Sequence, residues 1–282
     1  MLNSKKILQY ARRNQFAIPA VNFIDFNSAR AYVQVAEKKS LPLILAYAQS
    51  HREFLSLEEA ALIGKYFAKN AKVPVVLHLD HGEDKETIFK AIDLGFSSVM
   101  IDASTETFEK NIALSREVVD FAHQRDVTVE AELGHVGSND RSEVLKSTDS
   151  KYTKAEDVLE FVQRTNVDSL AVSIGTAHGL YKGEPHINFE RLKEIANVCT
   201  IPLVLHGGSS SGEENLRKCA KNGIAKINIY TDFIVAAYHA ILQNKPEGYI
   251  SMKCEADTAM KHVLENYYRV FDTKSVKIEE IE

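Results

Sequence analysis

Val73-Pro74-Val75-Val76-Leu77-His78-Leu79-Asp80-His81-Gly82 is a run of β-branched and aliphatic residues entered through a proline and left through a glycine, the pattern of a buried strand. Its second half is polar. Alternation along a strand puts His78 and Asp80 on one face and Leu77, Leu79 and His81 on the other, so Asp80 and His81 can share a site only where the strand gives way to a loop. In parallel α/β folds that carboxyl end is where chemistry sits. His78 alone reads as a hydrogen-bonded core histidine. Asp80 and His81 read differently, because two more histidines follow strand-like runs: His178 in Gly175-Thr176-Ala177-His178-Gly179 and His206 in Pro202-Leu203-Val204-Leu205-His206-Gly207-Gly208. Three neutral imidazoles beside a carboxylate make an open zinc site.

Outward from this stretch, strand-like runs at 17–23, 42–48, 74–80, 97–102, 127–132, 168–173, 202–206 and 225–229 alternate with helical patterns near 27–39, 56–70, 84–94, 107–124, 154–164, 188–198, 212–222 and 231–243. Eight β/α units within 282 residues predict an α/β fold, a (β/α)8 TIM barrel. A helix around 4–14 precedes it, and a helical extension and tail over 255–282, helical near 255–270, follows. No linker-like stretch divides 1–282, which reads as one domain. The charged end from Lys274 to Glu282 is expected to fray unless it packs on a partner. A doubly wound nucleotide-binding sheet would show a glycine-rich turn after an early strand, whereas the first strand ends Ala20-Val21-Asn22-Phe23.

Composition excludes several classes of function. The chain is 45% hydrophobic with a net charge of -5 and interspersed signs, so it lacks the basic footprint of a nucleic-acid binder. No apolar run is long enough to span a membrane, and the N-terminal residues lack the apolar core of a signal peptide. Cys199, Cys219 and Cys254 are odd in number and show no CxxC spacing, which fits reduced thiols in a cytoplasmic protein better than a disulfide framework.

A barrel makes neighbours of residues at the carboxyl ends of its strands. Those ends carry Asn22, Asp80, His81, Asp102, Glu132, His178, His206, Asn228 and Thr231, a set that, unlike a random scatter of polar residues, does not occupy strand interiors or bottom ends. Gly207, Gly208 and Ser209 lead into a helix near 212, and backbone N–H groups at such a turn after strand seven can cradle a phosphate. Lys182 adds a point charge there.

These residues resemble the class II, zinc-dependent ketose-bisphosphate aldolases of the fructose and tagatose type, over about residues 5–240. The motifs that carry the likeness are Leu77-His78-Leu79-Asp80-His81-Gly82, Val99-Met100-Ile101-Asp102-Ala103-Ser104, Val129-Glu130-Ala131-Glu132-Leu133-Gly134, the segment from Gly175 to Gly183, Leu205-His206-Gly207-Gly208-Ser209 and Lys226-Ile227-Asn228-Ile229-Tyr230-Thr231-Asp232. The resemblance implies that His81, His178 and His206 hold a catalytic Zn2+, with Asp102 and Glu132 available to a second divalent cation, and that a monovalent cation can assist. It makes Asp80 the acid/base on the sugar hydroxyl. It assigns Gly179, Lys182, Gly207, Gly208, Ser209, Asn228, Ile229, Tyr230 and Thr231 to binding dihydroxyacetone phosphate.

In the loop after strand five the family carries a glutamate that moves the C3 proton. Here the matching run is Gly137-Ser138-Asn139-Asp140, so Asp140 is the candidate, with Glu143 as its rival. The implied reaction is reversible cleavage of a ketose 1,6-bisphosphate, or a related ketose 1-phosphate, to dihydroxyacetone phosphate and an aldehyde, in a homodimer or homotetramer. A Schiff-base aldolase would need a desolvated strand lysine, and Lys226, at the start of strand eight, reads as far from the active face. A metal-dependent hydrolase would show a His-x-His pair on strand one, and a non-catalytic sugar-phosphate binder would have no use for Asp80. The chain departs from the family at Ala48, Gln49, His51, Arg52 and Tyr230 and lacks its Asp-Pro-Arg-Lys run after residue 244. These departures fall on the aldehyde half, where Arg52 and His51 are candidates for a distal phosphate.

Overall fold

Strand runs apolar on both faces can only be buried on both sides, and that is the condition of a parallel barrel wrapped in helices. A computed structural model describes residues 1–136, 152–179, 181, 185–277 and 279. In it β1 (Ile18–Asn22), β2 (Leu43–Ala48), β3 (Val75–Gly82), β4 (Ser98–Ile101), β5 (Thr128–Leu133), β6 (Ser169–Val172), β7 (Leu203–Leu205) and β8 (Ile224–Ile229) close into a barrel in sequence order. Every neighbouring pair is parallel, including β1 with β8.

The helices are α1 (Lys5–Arg13), α2 (Phe26–Lys39), α3 (Leu57–Asn70), α4 (Lys85–Leu94), α5 (Phe108–His123), α6 (Ala155–Thr165), α7 (Phe189–Val198), α8 (Glu213–Lys221), α9 (Thr231–Asn244) and α10 (Tyr249–Val270). Each helix from α2 to α9 follows the strand of the preceding unit. Local chemistry sets where they begin. Asp25 and Ser56 cap α2 and α3 through reciprocal bonds with Ser28 and Glu59, and Asp84, Thr107 and Asn188 accept from backbone N–H groups at the starts of α4, α5 and α7. A cap of this kind stabilises a helix by about 1 kcal/mol.

The apolar core is divided by the barrel wall. Between strands and helices lies a continuous layer that includes Leu45, Leu77, Leu79, Val99, Val129, Leu170, Leu205 and Ile227. A separate cluster fills the floor of the barrel, where Ile7, Leu8 and Ala11 of α1 pack on Phe16, Ile18, Ala20, Ile44, Val76 and Ala225. The N-terminal helix therefore plugs the amino-end of the barrel and leaves its carboxyl end open.

Two expectations need correction at the C-terminus. The extension becomes helical at Tyr249, six residues before 255, because the stretch from Tyr249 to Cys254 continues a helix that packs Met260, Leu264, Tyr267 and Tyr268 into the core. Tyr268 donates to Pro42 O at 3.1 Å, and Arg30 and Lys38 of α2 pair with Asp257 and Glu265. The expectation of fraying is corrected only at the start of the tail, where Val276 is buried in the floor cluster and Thr273 Oγ1 donates to Ala17 O at 2.6 Å.

The barrel interior carries charge. Above the floor it holds His78, Glu130 and Lys226, each about 1% exposed. Lys226 Nζ lies 2.8 and 2.9 Å from the two Glu130 oxygens and donates to His78 Nε2 at 3.1 Å. His78 Nδ1 meets Ser98 Oγ at 2.8 Å, and Ser98 in turn meets Ser4 of the N-terminal segment at 3.2 Å. Burial and the Lys226 charge push the His78 pKa down to about 3, so its ring is neutral. His78 is thus the satisfied core histidine its sequence suggested.

Candidate active site

β3 breaks its own alternation just where the site begins. The register with β4 shifts between Leu79 and Gly82, and His81 takes the left-handed conformation at φ +46°. Such a residue costs about 1–2 kcal/mol and turns the ring from the face that regular alternation would give it onto the side of Asp80. Gly82 is obligatory in this turn, because a Cβ there would stand 2.4 Å from Met100 O.

The three histidines meet at the open end. His81 Nδ1 bonds Asp102 Oδ2 at 2.8 Å, His206 Nε2 bonds Glu130 Oε1 at 3.0 Å, and the remaining nitrogens, His81 Nε2 and His206 Nδ1, face each other at 2.9 Å. His178 Nε2 is buried with no hydrogen-bond partner among the described residues. Ligand atoms of these three side chains lie within 4.8 Å of one another. Carboxylate partners on the outer nitrogens of His81 and His206 orient those two rings with their other nitrogens inward, the usual arrangement around a metal-bound imidazole. Three nitrogens with an open fourth position suit a catalytic metal, and zinc in particular.

Charge in the cluster follows the same geometry. Burial opposes a charge on His81, but Asp80, the Asp102 hydrogen bond and Glu132 outweigh it and raise the pKa to about 9. Burial, with His81 and His206 beside it, lowers His178 to about 3, and burial with His81 lowers His206. The metal-free cluster therefore carries one positive charge, the second ring proton of His81, whose Nε2 faces His206 Nδ1.

Asp80 is 4% exposed, and both of its oxygens are clamped: Asn22 Nδ2 donates to Oδ2 at 2.9 Å and Asn228 Nδ2 to Oδ1 at 2.8 Å. Burial works against ionisation, but His81, His206 and Lys226 hold the carboxyl far below the ordinary range. The result is a fixed carboxylate with lone pairs left to accept a proton. A second group, His81, Asp102 and Glu132, also has ligand atoms within 4.8 Å. Glu132 Oε1 accepts from Val136 N at 2.9 Å while Oε2 is buried without a partner among the described residues. Burial and the nearby Asp102 push the Glu132 pKa up to about 8.

A cavity of about 630 Å³ opens over these residues, lined by Asn22, Asp80, His81, Asp102 and His178 at its base. Gly179, Gly207, Gly208, Ser209, Asn228, Ile229, Tyr230 and Thr231, the segments assigned to phosphate binding, all line it. Tyr181 joins two of these segments: its hydroxyl accepts from Ala177 N at 2.5 Å and donates to Gly207 O at 3.2 Å. Ser209 Oγ accepts from Tyr230 N and Asp232 N at 3.2 and 3.4 Å, tying the turn after β7 to the start of α9. Asp140, Glu143 and Lys182 lie outside the described residues. Arg52 is exposed and is not among the cavity-lining residues described.

The sequence reading missed Glu130, Lys226 and Tyr181. Lys226 is not remote from the active face, because Glu130 alone separates its ammonium from His206. A charged residue at an inward position of a strand was the available signal, since isolated buried charge is prohibitive without a partner.

Comparisons with known proteins identify the family and the fold. The family model described as fructose-bisphosphate aldolase class-II matches residues 2–275. The D-tagatose-1,6-bisphosphate aldolase subunit GatY of Klebsiella oxytoca is 36% identical over 278 residues, which cover 96% of this chain and 97% of that protein. Among solved structures, the YdjI aldolase of Escherichia coli K12 is 33% identical with a TM-score of 0.88 and all of both chains covered. A putative fructose-1,6-bisphosphate aldolase of Coccidioides immitis is 29% identical, with a TM-score of 0.83 and 94% of each chain covered.

Proposed function

This chain belongs to the class II fructose-bisphosphate aldolase family, and from that premise we propose how its residues divide the work. The protein is an aldehyde-lyase that reversibly cleaves a ketose 1,6-bisphosphate, or a related ketose 1-phosphate, into dihydroxyacetone phosphate and an aldehyde. The metal is zinc, held by His81, His178 and His206, whose inward nitrogens have carboxylate-fixed or unpartnered geometry. When bound, zinc supplies Lewis acidity that draws electron density from the ketone beside the breaking bond.

The remaining chemistry falls to side chains of the chain itself. Asp80 takes the proton of the C4 hydroxyl as the C3–C4 bond breaks, so that the hydroxyl carbon becomes the aldehyde, and in the reverse direction it returns that proton. The two asparagine donors keep the carboxylate aimed, while the neighbouring His81, His206 and Lys226 keep it ionised. The turn from Gly207 to Ser209, with Gly179, Ile229, Tyr230 and Thr231, holds the dihydroxyacetone phosphate half, and Asn228 keeps a free Oδ1 for it. Lys182 reaches the same phosphate, and Asp140, or Glu143 in its place, moves the C3 proton. Asp102 and Glu132 serve a second cation. The enzyme works as a cytoplasmic homodimer or homotetramer, and among the described residues no helix is long and apolar enough to cross a membrane.

The observation that carries this reading is the clamped Asp80 carboxylate beside three histidines whose nitrogens converge, His178 Nε2 among them without a partner among the described residues. A coupled assay for dihydroxyacetone phosphate across a panel of ketose phosphates tests it. Activity should vanish with chelator and return with zinc, and Asp80→Ala should retain metal while lowering turnover by about a hundredfold to ten-thousandfold. Near-normal turnover of that variant would remove Asp80 from the proton-transfer role.

A further inference from the structure

The phosphate-binding segments follow β6, β7 and β8, so in a closed eight-stranded ring the loops after β2 and β3 lie across the mouth. There the cavity is lined by Ala48, Ser50, His51 and Glu83, with Tyr230 reaching over from the end of β8. His51 and Tyr230 pack ring to ring, with centroids 4.6 Å apart at 44°. His51 is 8% exposed, and its Nδ1 is buried with no hydrogen-bond partner among the described residues. The backbone of Glu83 is anchored, its N–H donating to Gln49 Oε1 at 2.8 Å while Gln49 Nε2 donates to Asp84 Oδ2 at 2.6 Å. The exposed Glu83 side chain has no ion pair among the described residues.

No lysine or arginine is among the cavity-lining residues described. Burial also lowers the His51 pKa, which keeps its ring neutral near pH 7. A phosphate monoester carries about −1.5 to −2 charges at neutral pH, and proteins hold it with guanidinium forks, ammonium groups or converging backbone N–H groups. Among the described residues this wall lines the cavity with no guanidinium or ammonium group, and it adds the carboxylate of Glu83. A neutral imidazole nitrogen, a phenol and a serine hydroxyl are instead groups that exchange hydrogen bonds with sugar hydroxyls. A substrate hydroxyl would also satisfy the orphaned His51 Nδ1, whose isolation otherwise costs stability.

We infer that the aldehyde half of the site is built for an uncharged, hydroxylated aldehyde, so that the preferred substrate is a ketose 1-phosphate whose distal carbons carry hydroxyls rather than a second phosphate. The inference rests on the aldolase reading above. It narrows that reading to one class of substrate, with His51, Glu83 and Tyr230 as the residues that set it.

The test runs the zinc-loaded enzyme in the direction of condensation, with dihydroxyacetone phosphate and paired aldehydes at fixed ionic strength. Glyceraldehyde is compared with glyceraldehyde 3-phosphate, and erythrose with erythrose 4-phosphate. The unphosphorylated member of each pair should show a kcat/KM at least about tenfold higher, the discrimination expected when one partner meets like charge and no counter-charge. Glu83→Gln should lower KM for the phosphorylated aldehydes by about three- to tenfold and so narrow the gap within each pair, since one partly screened charge has been removed; an unchanged gap would remove Glu83 from the discrimination. His51→Phe, which keeps the ring packing, should raise KM for glyceraldehyde without altering KM for dihydroxyacetone phosphate. Preference of the wild-type enzyme for glyceraldehyde 3-phosphate would overturn the inference while leaving the aldolase assignment standing. No condensation with any aldehyde would overturn both.

Discussion

Replacing Lys226 by methionine tests whether the buried column beneath the metal site holds up both the fold and the chemistry. Lys226 is 1% exposed and its ammonium contacts both Glu130 oxygens and His78. Methionine fills the space but leaves Glu130 as a buried carboxylate without its counter-ion. Breaking a buried pair in this way costs about 3–5 kcal/mol. At about 2–4 °C per kcal/mol for a chain approaching this size, Tm should fall by about 6–20 °C.

The variant should also bind metal more weakly. Glu130 is held far below the usual carboxylate range because Lys226 and the His206 hydrogen bond outweigh its burial, so without Lys226 it relieves its isolation by taking up a proton. A protonated Glu130 donates to His206 Nε2 instead of accepting from it, and the tautomer that results places hydrogen on Nδ1, the nitrogen that faces His81. Loss of such a support lowers metal affinity by about 10- to 100-fold.

Calorimetry of the metal-free protein and competition with a chelating dye read the two effects separately. The double variant Lys226→Met, Glu130→Leu should recover most of the stability, since an apolar replacement of both charges is tolerated. It should not recover the metal affinity. A Lys226→Met protein with unchanged Tm and unchanged metal affinity would refute the account of the column.

Three further outcomes are expected. His178→Ala should purify as a folded barrel with most of its metal lost, because His178 lies at the functional end and its Nε2 contributes nothing else among the described residues; metal analysis showing a full complement would exclude it as a ligand. In the metal-free protein both His81, raised to about 9, and Glu132, raised to about 8, hold protons more tightly when folded than when unfolded. Their stabilising contribution is complete below their unfolded values and is lost as pH rises through the folded ones, from about pH 4.3 to about 8 for Glu132 and from about 6.5 to about 9 for His81; both act together above about pH 6.5, where Tm should decline up to about pH 9. Metal uptake should release protons and tighten over the same window, and a flat Tm with no proton release would contradict the His81 assignment. Gly82→Ala should destabilise the barrel by about 2 kcal/mol or more through the approach of its Cβ to Met100 O at 2.4 Å, with weakened metal binding as His81 is displaced; full stability would show that the β3 bulge has slack.

What the sequence determined by itself was whatever depends on local pattern. The alternation of strand-like and helical runs specified eight units because a strand buried on both faces and an amphipathic helix have different periods that a single chain can display. The polar residues at strand ends specified the mouth of the barrel, since only that end gathers residues as distant as Asp80, His178 and Asn228 into one cavity. Tertiary structure alone decided three things. The facing of His81 depends on a bulge imposed by the close approach of β4, and regular alternation would have turned the ring away. The role of Lys226 depends on Glu130, 96 residues away in the chain, because an ammonium inside a barrel is tolerable only where a carboxylate from another strand meets it. Val276 is held by the floor of the barrel, where it joins Ile7, Phe16 and Ala225; no local pattern near Val276 announces that contact, because its driving force is apolar area removed from water by residues far from it in the chain.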